Sequence, residues 1–127
     1  MKFPPGTETI LVVDDEEIIR HLAKDVLGSL GYEVMLAANG KEGIRLYKEH
    51  HERIALVILD MIMPQMGGAQ TLAGLKEVNP KVKVILCSGF ARDDTAGRLL
   101  QEGATNFIQK PYTMKSLADV VRSTLDL

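Results

Sequence analysis

The chain has 127 residues, 46% hydrophobic and 25% charged, with a formal net charge of −2. That length fits one compact domain with its own core, and the acidic balance argues against direct nucleic-acid binding, which wants a basic face. The single cysteine, Cys87, excludes an intramolecular disulfide and suits a reducing compartment. It lies inside an apolar run and reads as a small core residue.

No apolar stretch approaches the roughly 18–20 residues that span a bilayer. The start, Met1-Lys2-Phe3-Pro4-Pro5-Gly6, lacks the apolar region of a signal peptide. Residues 1–7 therefore read as an irregular lead-in and 8–127 as one domain, with no membrane segment and an expected cytoplasmic location. A cut from a longer chain is equally compatible with this start.

In chain order, strand candidates are Thr9–Val13, Glu33–Ala37, Ile54–Leu59, Val82–Cys87 and Thr105–Ile108. Near-continuous Val, Ile and Leu suit strands buried on both faces. Only the second is mixed, as an edge strand would be. Between them lie helical patterns at Glu16–Leu30, Lys41–His50, Ala69–Val78, Asp93–Gln101 and Thr113–Leu125. In the first, Ile18, Ile19, Leu22, Val26 and Leu30 form the expected buried stripe, and Gly31 caps its end. In the fourth, Gly97 weakens the helix by about 1 kcal/mol against Ala. Five βα units with short connections predict an α/β fold: a doubly wound, flavodoxin-like (βα)5 arrangement with a five-stranded parallel sheet in the order 2-1-3-4-5.

Four of the apolar runs end on chemistry. The first runs into Asp14 and Asp15, the third into Asp60, the fourth into Ser88, and the fifth is followed by Gln109, Lys110 and Pro111. Parallel strands bring these ends to one edge, where open α/β sheets bind ligands. Two carboxylates 4 Å apart repel by about 4 kcal/mol at an effective dielectric of 20. A divalent cation would relieve that repulsion, and hard oxygen donors suit Mg2+. Simpler readings compete: the acidic run could only cap a helix, Asp60 could be a turn residue, Ser88-Gly89 a loop, and Lys110 a solvated lysine. Met61, Met63 and Met66 read as loop packing, since thioethers prefer soft metals.

The ordered set Val13-Asp14-Asp15-Glu16, Asp60-Met61-Ile62-Met63-Pro64-Gln65-Met66-Gly67-Gly68, Ser88-Gly89 and Lys110-Pro111 resembles the receiver domain of a two-component response regulator. The resemblance runs from Leu11 to the last helix. It implies a phospho-accepting signalling module in a phosphorelay, with Asp60 taking the phosphoryl group from a histidine kinase. It implies Mg2+ (or Mn2+) held by Asp15 and Asp60 directly, Asp14 mostly through water, and the Ile62 carbonyl. Ser88 and Lys110 would contact the phosphoryl group, and Phe107 would be the aromatic switch beside Ser88. The output face would be the fourth helix, fifth strand and fifth helix. Such a domain modifies and unmodifies itself without turning over a separate substrate, so it is not read as an enzyme. The family pattern also favours a cis Lys110–Pro111 bond.

Two positions flanking the expected line of attack, Ile62 and Phe90, are apolar where many receivers carry polar groups. Hydrolysis of the aspartyl phosphate is then expected without help from either side chain. The run Leu86-Cys87-Ser88-Gly89-Phe90 is similar to receivers of hybrid sensor kinases. The partner would be a histidine kinase, a histidine phosphotransfer protein, or the domain's own kinase in a longer chain; a phosphorylation-dependent homodimer is also open. Two rivals fit less well. A small-molecule phosphohydrolase needs a general acid and a lid, and a flavin or nucleotide binder wants a glycine- or hydroxyl-rich loop after the first strand, where this chain has acids.

Overall fold

The computed structural model describes residues 3–89 and 94–127. Strands and helices alternate: β1 Thr9–Val13, α1 Glu17–Ser29, β2 Glu33–Ala37, α2 Gly40–His50, β3 Ile54–Asp60, α3 Gly68–Val78, β4 Val84–Ser88, α4 Asp94–Gln101, β5 Asn106–Gln109 and α5 Met114–Leu125. The strands form one parallel sheet in the order β2-β1-β3-β4-β5. Its three central strands are almost wholly buried, and the mixed β2 lies at an edge, as its composition suggests.

Side chains alternate across each strand, and here they feed two cores. Leu11, Val13, Val57, Leu59 and Leu86 pack with Tyr47, Leu72, Leu75 and Leu99 from α2, α3 and α4. Ile10, Val12, Leu56, Ile58 and Ile85 pack with Ala23, Leu27, Leu117 and Val121 from α1 and α5. Gly43 on α2 permits close approach to the first core: a Cβ there would meet Val13 Cγ2 at 2.8 Å.

Most element ends fall within one residue of the sequence expectation; two strand boundaries and one stripe depart from it for physical reasons. β4 starts at Val84 because the Val82 N–H closes a turn on the Asn79 carbonyl at 3.0 Å, and the Val84 N–H donates to Thr105 Oγ1 at 3.0 Å. β3 runs one residue further than expected, so Asp60 itself is in the ladder opposite Cys87. On α1 the buried positions are Ala23 and Leu27, supported by Ile19, Val26 and Leu30. Ile18 is 81% exposed and Leu22 39%. The helix is rotated from the stripe expected, so that Ile19, Ala23, Val26, Leu27 and Leu30 face the core. Asp93, the expected start of the fourth helix, lies outside the described residues.

Candidate functional site

The register of the sheet explains how distant residues converge. Val13 pairs with Leu59, Asp60 with Cys87, and Ser88 with Gln109. Continued past the strand ends, this register sets Asp14, Asp60 and Cys87 level, with Ser88 one residue and Lys110 two residues beyond. Backbone bonds continue past the strand ends: Asp14 N–H to Ala37 O at 3.1 Å, Met61 N–H to Cys87 O at 3.0 Å, and Lys110 N–H to Ser88 O at 2.7 Å. The Lys110–Pro111 bond is cis.

Asp14, Asp60 and Ser88 are all buried. Asp14 is fixed from two sides: its Oδ1 accepts from Glu16 N–H at 2.9 Å, and its carbonyl accepts from Arg20 Nη1 at 2.8 Å. Asp60 Oδ1 accepts from Ile62 N–H at 3.3 Å. The Lys110 ammonium lies 2.7 Å from Asp14 Oδ2, 3.3 Å from Asp60 Oδ2 and 3.4 Å from Glu16 Oε1. The shortest of these ties the ammonium to Asp14 Oδ2, a buried oxygen with no other partner among the described residues.

One ammonium cannot offset three carboxylates. Burial, and then the charge of Asp14, push the Asp60 carboxyl up to about 6, against the opposing pull of Lys110 and the Ile62 N–H. For Lys110, burial favours the neutral amine, but its contact with Asp14 and the surrounding negative charge outweigh it and hold the ammonium above the ordinary lysine range. Burial pushes the Cys87 thiol well up, which keeps it protonated and unreactive.

Each of Asp14, Asp15, Glu16 and Asp60 offers a carboxylate oxygen within 4.8 Å of the others. This set of hard, unbalanced oxygen donors fits a divalent cation of the Mg2+ type. Asp15, Glu16, Asp60, Ile62, Gly89 and Lys110 line an open pocket of about 340 Å3 above it. Its entrance is shaped by the β3–α3 loop, where Gln65 takes a left-handed φ of 70° and Gly68 N–H donates to Met61 O at 3.0 Å. A Cβ on Gly68 would stand 2.9 Å from Met61 Cα, so only glycine fits this crossing.

The expected residues Asp14, Asp15, Asp60, Ile62 and Lys110 thus come together, with Ser88 at the end of the neighbouring strand. Phe107, paired with Leu86 on the neighbouring strand, is partly buried against the core that includes Leu72 and Leu99. Phe90 lies outside the described residues. Glu16 joins the cluster although its sequence position suggested only a helix start. It is the N-cap of α1 yet makes no side-chain capping bond, which leaves its carboxylate for the pocket.

A parallel doubly wound sheet whose strand ends converge acids around one lysine defines a module that handles a charged group at its sheet edge, not a flavin or dinucleotide binder with a glycine-rich phosphate loop. Residues 10–122 match the family model of the response regulator receiver domain, and the chain belongs to that family. It is 34% identical to the chemotaxis protein CheY of Bacillus subtilis, over 92% of this chain and 97% of that protein. It is 35% identical to the sensor kinase CckA of Brucella abortus over 95% of this chain, which spans only 13% of that kinase. Among solved structures, the CheX–CheY–BeF3–Mg2+ complex from Borrelia burgdorferi superposes with a TM-score of 0.87 at 30% identity, covering 91% of this chain and 87% of that one. The chain is thus a receiver domain of two-component signalling, and no described helix is long and apolar enough to cross a membrane.

Proposed function

We propose that Asp60 accepts a phosphoryl group from the phosphohistidine of a histidine kinase or histidine phosphotransfer protein. The observation that carries this reading is the position of Asp60: buried at a strand end, 3.3 Å from an ammonium, and lining an open pocket. An Asp60 carboxylate oxygen attacks phosphorus, the P–N bond to the imidazole breaks, and the imidazole leaves with the bonding pair and picks up a proton. Carboxylates form such acyl phosphates, and positioning with charge neutralisation supplies most of the acceleration.

Asp14, Asp15, Asp60 and the Ile62 carbonyl would hold Mg2+ (or Mn2+), with Glu16 a further donor in the same cluster. Bound there, the cation offsets the like charge of the acids and polarises the phosphoryl oxygens. Lys110 turns from the carboxylates to a phosphoryl oxygen, and the Ser88 hydroxyl donates to another. Phe107, half-buried beside β4, then shifts and alters the face made by α4, β5 and α5, which passes the signal on. Ile62, 61% exposed at the pocket rim, offers water no polar group, so the aspartyl phosphate decays unassisted by that side chain. The BeF3 and Mg2+ named with CheY in the Borrelia complex support this reading of the pocket. The likeness to a sensor kinase supports a phosphorelay partner.

The test is incubation with acetyl phosphate and Mg2+, followed by intact mass. The parent should gain one phosphoryl group and Asp60→Asn none; equal labelling of the two sinks the proposal. In the same experiment Ile62→Ala should leave the phosphorylated half-life within about twofold, an activation difference near 0.4 kcal/mol.

A further inference from the structure

Beneath the pocket lies a group that the proposed chemistry does not use. Tyr112 follows Pro111 and is 7% exposed, packed with Cys87, Ile108 and Leu117. Its hydroxyl is buried and has no hydrogen-bond partner among the described residues. The other two tyrosines are satisfied: Tyr47 Oη accepts from Asn79 Nδ2 at 3.1 Å, and Tyr32 Oη from Arg122 Nη1 at 3.4 Å. Buried hydroxyls without partners are costly, and a native one calls for a reason.

The same region holds the complementary orphan. Asp14 Oδ2 is buried, and its one ion-pair partner among the described residues is the Lys110 ammonium. If Lys110 moves to the phosphoryl group, that buried oxygen loses its one N–H partner; the cation offsets charge but donates no hydrogen bond. Cys87 links the two: it shares the core cluster of Tyr112, and its sulfur lies within 4.8 Å of carboxylate oxygens of Asp14 and Asp60. Tyr112 lies within the electrostatic reach of Asp14, Lys110 and Asp60.

We propose that Tyr112 is a positioning residue for this site, its hydroxyl donating to Asp14 Oδ2 once Lys110 has left for the bound phosphoryl group. The phenol holds Asp14 in place for the cation and lets the lysine go. Burial first, and then the nearby Cys87 and Asp14, keep the phenol protonated far above neutral pH, so it remains a donor throughout the working range. This rests on the reading of Asp60 as phosphoacceptor and adds to it a reason for Tyr112 to carry a hydroxyl.

The test compares the parent with Tyr112→Phe, titrated with beryllofluoride and Mg2+ by calorimetry and by ultraviolet difference spectroscopy. The chain has three tyrosines and no tryptophan, so the spectrum reports the phenols alone. The parent should show a red shift of the tyrosine band on forming the complex, absent in Tyr112→Phe. Affinity for the complex should fall about tenfold in the variant, the low end of what a hydrogen bond to a charged group is worth. Thermal unfolding of the ion-free variant should match the parent or exceed it, since an unpaired hydroxyl is removed; a lower midpoint would mark the hydroxyl as a structural group already bonded and overturn the inference. Equal affinity, or a red shift that survives in Tyr112→Phe, would also overturn it while leaving Asp60 as acceptor intact. A parent that takes up no beryllofluoride at all would sink both.

Discussion

The two ends of the sheet use the same ingredients to opposite effect. At the end away from the pocket, Arg122 gives 2.7 Å to Glu8 and 2.8 Å to Asp126, and reaches the Tyr32 hydroxyl and the Pro5 carbonyl. Donors and acceptors there are matched, and the Arg122 bond holds the Glu8 carboxyl down at about 2. At the pocket end, one lysine faces three carboxylates and Asp60 is pushed up to about 6. A cation among acids is therefore not by itself a stabilising device. What decides is whether the donors suffice and whether water can help. The clasp at Arg122 ties the lead-in to α5, whereas the pocket keeps excess negative charge that a bound cation can relieve.

The largest test of this contrast removes Lys110. Lys110→Met leaves Asp14 and Asp60 buried without their ammonium and should cost about 3 kcal/mol in urea unfolding at pH 8 without metal. The loss should shrink toward pH 5, where Asp60 can protonate. A cost below about 1 kcal/mol would mean that the pocket is wetter than its burial implies.

Next is Asp60→Asn, which should stabilise the ion-free protein by about 1–3 kcal/mol at pH 8, the range set by a shift from 3.8 to about 6. The sign follows from linkage: the folded carboxyl binds its proton more tightly than the unfolded one, so the parent loses stability as pH rises from about 4 to 6. The gain from the substitution should therefore fade as pH drops through that window. A pH-independent gain would point to packing in place of charge.

The smallest effect belongs to the matched end. Glu8→Gln should cost about 1 kcal/mol at pH 7, since both partners of the clasp are partly solvated. Glu8 is depressed from 4.5 to about 2, so its contribution is full above pH 4.5 and is lost as pH falls through 2. Parent and variant should then converge in acid, and parallel pH curves would contradict this account of the clasp.

Much of this was legible in the residues. Continuous Val/Ile/Leu runs gave the strands, and an acid, hydroxyl or lysine directly after each run gave the site, because a parallel sheet aligns its own strand ends. Three things were not legible. The α1 stripe was misjudged because Ile18 and Leu22 are apolar, yet the helix turns Ala23 and Leu27 inward. Hydropathy ranks Ile18 and Leu22 above Ala23, and only the packed helix shows which of them faces the sheet. Glu16 looked like a helix-dipole acid, and only the structure shows its carboxylate making no capping bond, 3.4 Å from Lys110 and lining the pocket. Tyr112 drew no reading at all, since nothing in a sequence reports whether a buried hydroxyl has a partner.

The 2.7 Å bond from Lys110 N–H to Ser88 O has a further consequence. It fastens the two strand ends as a hinge pin fastens two leaves. The residues proposed to sense the phosphoryl group are then not separate detectors. Under the proposed function, a pull on the Ser88 hydroxyl would reach, through this carbonyl, the backbone that carries Lys110.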